Sequence, residues 1–237
     1  MKTCSRSPRI GTWKKYQPNP TEITRAAILL PGDMLNCPGI NWSHYWSAAL
    51  ITLGLGLILF FLPHVLRELG LRDHLRSNLP SEGVYKGLYS VVALLGLLLI
   101  IWGKSQAPFI MIWQPVYEWR GLSVFLMLPA LISIIAGNLP VSFIRRSLRH
   151  PMLFGVALWG FAHLWANGDL ASMLLFGSFT IWALFKFFTL SPAAVLDSPA
   201  RVQFLLWDIV AMLTGGVLFV VLLVYHGQIF GVGLSLN

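Results

Sequence analysis

The 237-residue chain is 56% hydrophobic and only 11% charged, with a mean hydropathy of +0.70 and a net charge of +8. A soluble domain keeps about a quarter to a third of its surface charged, so this composition excludes a water-soluble enzyme. It predicts an all-α, polytopic transmembrane helical bundle whose first partner is the lipid bilayer. The positive charge implies no nucleic acid, because basic residues gather in the loops of membrane proteins.

Residues 1–43 form a basic, proline-interrupted extension carrying Lys2, Arg6, Arg9, Lys14, Lys15 and Arg25. No apolar h-region follows these charges closely, so a cleaved signal peptide fits poorly. The extension reads as disordered, and a second reading starts translation at Met34. Cys4 and Cys37 both lie here and make an improbable metal site by themselves.

Residues 44–237 form the transmembrane domain, with about six spans over 46–66, 87–102, 121–139, 152–166, 170–190 and 203–225. The second and fourth are short for a hydrocarbon layer of about 30 Å. The loops after the first, third and fifth spans hold Arg67, Arg72, Arg76, Lys86, Arg145, Arg146, Arg149, Lys186 and Arg201. The opposite loops hold only Lys104 and Arg120. The positive-inside bias places the first set in the cytoplasm and both termini outside. The basic residues before Met34 oppose that orientation, which favours the later start. Residues 64–76 space leucines helically between charges, as in an amphipathic helix on the cytoplasmic surface.

The densest information lies in residues 145–169. The cluster Arg145, Arg146 and Arg149 leads to His150-Pro151, and proline fits the first position of a helix. An apolar run with a single imidazole, His163, ends at an Asn167-Gly168 turn, and Asp169 is placed to cap the next helix.

Ionisable groups within spans are costly and are candidates for function. Here they are His64, His163 and Asp208. Lys186 and His226 read as interfacial side chains, Asp208 as ion-paired near Arg201, and His44 and His74 as ordinary aqueous residues. Trp159 and Gly160 share the face of His163, and the glycine leaves room for a flat group or for another backbone. Phe60 and Phe61 share the face of His64, with Pro63 bending the end of that span. A neutral imidazole is a good iron ligand, and two can hold a haem between helices. The alternative is that each histidine bonds to a neighbouring helix. The aromatic residues of the fifth span (Phe176, Phe179, Trp182, Phe185, Phe187, Phe188) read as packing. There is no nucleophile elbow, Gly-rich phosphate loop, HExxH or intramembrane carboxylate pair, which leaves hydrolysis and phosphoryl transfer without support.

Three phrases carry a resemblance: LILFFLPHVLR (57–67), GVYKGLYSVVALLGLLLIIWG (83–103) and RRSLRHPMLFGVALWGFAHLWANGDLASMLLFGSFTIWAL (145–184). By these the chain resembles the NnrU family of bacterial membrane proteins, which is related to the zeta-carotene isomerase of plants. The resemblance implies a multi-pass protein of the bacterial inner (plasma) membrane, associated with denitrification and nitric oxide metabolism. The plant isomerase binds haem b through two histidines in segments similar to FFLPH and WGFAH, which implies His64 and His163 as metal ligands here. Gly160 stands where that isomerase has a cysteine, so ligand switching by that route is not implied.

On the topology above, the two imidazoles differ in depth by about 15 Å at 1.5 Å per residue. His150 matches the depth of His64 better and stays a candidate cofactor-binding residue. The RHP phrase also resembles membrane methyltransferases of the isoprenylcysteine type, where it helps to bind S-adenosylmethionine. Residues 190–201 lack the paired glutamates of those enzymes. Four readings therefore stand, and whether the protein is an enzyme stays open. They are a haem-binding protein of nitrogen-oxide metabolism, a haem-dependent cis–trans isomerase of an apolar polyene lipid, a non-enzymatic assembly partner of a membrane reductase, and a methyltransferase.

Overall fold

A computed structural model describes residues 42–66, 69–116, 120–190 and 201–231. The extension with Cys4, Cys37 and Met34 lies outside them, as does nearly all of the segment compared with the methyltransferases. Every regular element among the described residues is helical: α1 Trp42–Val65, α2 Leu71–Ser77, α3 Glu82–Gln106, α4 Arg120–Asn138, α5 Phe143–Leu148, α6 Pro151–Ala166, α7 Leu170–Thr189 and α8 Arg201–Phe230. Five of these are long and apolar enough to cross a membrane, and α6 is a shorter apolar helix. The molecule is an all-α polytopic bundle.

The expected spans fall on α1, α3, α4, α6, α7 and α8. The second span is longer than its apolar run, because Ser81 accepts a hydrogen bond from Val84 N and starts α3 at Glu82. At 25 residues α3 is about 37 Å long, whereas the 16 residues of α6 reach about 24 Å. Pro151 opens α6 as its first residue, and Asp169 caps α7 by accepting from Ser172 N at 2.9 Å. The amphipathic stretch after the first span is shorter than 64–76. His64 belongs to the last turn of α1, Gly70 takes a left-handed conformation (φ 67°), and α2 begins only at Leu71. Pro63 ends up buried inside α1.

Small residues set the packing, as expected where lipid supplies no hydrophobic drive between helices. Among residues 49–231, α4 packs on α6 and α8, and α6 packs on α7. A methyl group on Gly155 of α6 would meet the Ala130 carbonyl of α4 at 2.6 Å. On the other side, α1 and α3 approach through Gly56, Gly96 and Gly103. A Cβ at Gly103 would lie 2.4 Å from Leu53 N, and one at Gly96 would lie 2.5 Å from Phe60 N.

Two polar clamps close the bundle. At one end Lys104 Nζ donates to Asp169 Oδ2 (2.8 Å) and to Ser172 Oγ (2.7 Å). The chain after α3 joins this clamp, with Ile112 N donating to Gly168 O and Leu170 N to Ile110 O. A Cβ at Gly168 would stand 1.7 Å from the Trp113 carbonyl oxygen, so only glycine fits that turn. At the other end, Asp208 of α8 accepts from Phe143 N (3.0 Å) and Ile144 N (3.1 Å), and Ser142 Oγ accepts from Arg145 N. Asp208 thus holds the N-terminus of α5, a role its reading as ion-paired near Arg201 did not include; the Arg201 side chain lies outside the described residues.

Candidate functional site: histidines ranked along one helix

His64 and His163 have the same local geometry. His64 Nδ1 lies 2.7 Å from Phe60 O, and His163 Nδ1 lies 2.9 Å from Trp159 O. Both acceptors are carbonyls one turn back, so each Nδ1 must carry the proton and donate it. That fixes the tautomer and leaves Nε2 with a lone pair, the state in which imidazole binds metals. Each ring is also stacked on a phenylalanine. His64 lies on Phe60 with centroids 4.7 Å apart, and His163 lies on Phe176 at 4.4 Å.

The helix that ranks them is α7. His163 meets Phe176, His64 meets Trp182 edge-on at 5.6 Å, and His150 meets Phe187 at 6.3 Å. Six residues separate the first two contacts, a rise of about 9 Å, and five separate the second and third, about 8 Å. The depth difference of 15 Å drawn from the loops is therefore too large. The reason is local: α1 continues through Pro63, and His64 lies beside Tyr89, seven residues into α3. His150 and His163 are thus about equally removed from His64 along α7.

Aromatic rings connect the two stacked histidines. Phe179 is 5.2 Å from Phe60, 5.0 Å from Phe61 and 5.7 Å from Trp159, while Trp159 is 5.1 Å from His163. Phe179, one of the α7 side chains read as packing from the sequence, is therefore the wall between the histidines. The period of those side chains gave a face but not its neighbours. Gly160 serves a different purpose from a pocket. A Cβ there would lie 2.2 Å from Thr180 Oγ1 and 2.9 Å from Phe176 O, so its space is filled by α7.

Two further groups at His64 escaped the sequence reading. Lys186 is only 8% exposed and close enough to His64 to act on it electrostatically, so it is a buried residue and not an interfacial one. Trp182 Nε1 is buried with no hydrogen-bond partner. His226 of α8 interacts electrostatically with His163. His74 stays on the exposed α2, its Nε2 3.2 Å from Asn78 Nδ2. Among the described residues, no group of three or more His, Cys, Asp or Glu side chains forms a metal site. The arrangement offers instead two imidazoles, each with its Nδ1 bonded within its own helix, in an aromatic setting.

No curated protein matches the chain, and neither does any solved structure. The family model described as NnrU protein matches residues 52–234, which takes in α8 as well as both histidine-bearing helices. The chain belongs to the NnrU family.

Proposed function

We propose that this protein binds haem b within the membrane, with His64 and His163 as its iron ligands, and that it serves nitrogen-oxide metabolism. The observation that carries the reading is the shared hydrogen bond from Nδ1 to a carbonyl of the same helix, which frees Nε2 on both rings. The unpaired Trp182 indole N–H beside His64 supports it, because a buried donor without a partner marks a place where a polar group is missing. Haem, if bound, would supply one-electron chemistry at its iron. The chain's part is to fix the imidazole tautomers, exclude water and keep Lys186 near one ligand. Phe179 contacts both histidine-bearing faces, so ligation by both imidazoles requires its ring to turn aside. Family membership supports the metabolic role.

The aromatic wall favours one second reading, isomerisation of a polyene lipid lying against Phe179 and Trp159. The visible spectrum of protein purified in detergent tests the cofactor. We expect a Soret band in the wild type, lost in both His64→Ala and His163→Ala. Loss in His64→Ala and His150→Ala alone would move the second ligand to His150. A colourless protein that takes up no added haem would sink the proposal and favour a non-enzymatic role in reductase assembly.

A further inference from the structure

A groove of about 410 Å³ lies between the end of α5 and the neighbouring parts of α6 and α7. This is within the range of about 300–1,000 Å³ usual for small-molecule sites. Its floor is apolar, formed by Phe154 and Ala157 of α6 and by Leu184, Phe187 and Phe188 of α7. Leu184 is 42% exposed and Phe188 is 79% exposed, so this floor runs out into the lipid-facing surface. The other end is polar, with Ser147 and Arg149.

Arg149 makes no ion pair among the described residues, and Asp208, the carboxylate bound to α5, is spent on backbone N–H groups. Arg149 leaves the chain from an unusual backbone. Arg149 has φ 58° and ψ −55°, and His150 N donates to Leu148 O across it, which makes a strained γ-turn. The adjoining His150 keeps a buried Nε2 with no hydrogen-bond partner.

We propose that this groove holds an anionic phospholipid, with one acyl chain along Phe154, Phe187 and Phe188 and its phosphodiester on Arg149 and Ser147. Charge complementarity selects this occupant. A guanidinium matches phosphate oxygens in pairs, and basic pockets between membrane helices at the positively charged face bind anionic headgroups. A zwitterionic lipid would bring the same phosphate together with a cation to a segment already carrying Arg145, Arg146 and Arg149, and a bare anion would leave the apolar floor uncovered.

Native mass spectrometry of the full chain reconstituted with equal phosphatidylglycerol and phosphatidylcholine tests this. The expected result is an excess of phosphatidylglycerol adducts of about fivefold, the discrimination one arginine gives near an anionic headgroup. Arg149→Gly suits the positive φ, so it keeps the turn while bringing the two lipids to parity. Ala157→Phe fills the groove and lowers both adducts. Arg76→Gln, on the exposed α2, leaves the ratio unchanged. The proposal is overturned by parity in the wild type, by an excess that survives Arg149→Gly, or by a doubled mass showing a second copy in the groove. It is equally overturned if inorganic phosphate forms adducts that Arg149→Gly removes while phosphatidylglycerol forms none, since that identifies a bare anion site.

Discussion

A single carboxylate, Asp169, shows how much of a residue's role is local. Its place after Asn167-Gly168 and before an apolar run marks it as a helix cap, and it is one. Its partner Lys104 is 65 residues away, a pairing that no local pattern contains. Burial raises the Asp169 carboxyl, but hydrogen bonds from Lys104 and Ser172 outweigh it and hold the group below the usual aspartate range. A carboxyl that binds protons less readily when folded adds stability above its unfolded pKa, near 4, and gives it up as the pH falls through the folded value. The clamp's own contribution to thermal stability in detergent, read as the difference between the wild type and Asp169→Asn, should therefore be constant from neutral pH to about 5 and decline below about 4. Asp169→Asn should start lower at neutral pH and lose that part of the decline; a parallel acid profile in the variant would count against the clamp. The histidines divide in the same way. Their place within spans is legible, whereas the tautomer depends on how each ring turns within its own helix.

At the scale of elements, hydropathy located the spans well, because lipid forces each backbone hydrogen bond to be made within its own helix. The ends were less legible. Ser81 and the polar first turn of α3 lie outside the apolar run, yet they belong to the helix. Contacts between helices were legible only as glycines, without their partners. Gly103 is one whose partner is now clear, and Gly103→Leu should force α1 from α3 and lower the midpoint of unfolding by several degrees, whereas Gly87→Leu, in open space, should not. The six-residue α5 is too short to hold itself together. Asp208→Ala should remove about 1–2 kcal/mol of capping and speed hydrogen exchange at Phe143 and Ile144, while α7 exchanges as before. Unchanged protection at those two amides would show that α5 is fixed by other contacts.

For the whole molecule, class and family were readable because composition and three long phrases specify them, and the family match extends to residue 234. Relative depth was not readable, since it depends on how far each helix projects beyond its apolar run. The histidines rank along α7 at His163, His64 and His150, so one helix sets the spacing of every candidate ligand. Aromatic rings fill the interval between the first two, and the arginine-rich turn borders the third.

The shortness of α6 has a consequence for the surrounding bilayer. Its outer face includes Met152 and Phe161, which are 40% and 45% exposed, on a helix about 6 Å shorter than the hydrocarbon layer. Acyl chains meeting that face must compress, and the leaflets dimple inward on one flank of the protein while the longer α3 demands full thickness on another. Lipid beside α6 is therefore expected to be thinner than lipid beside α3.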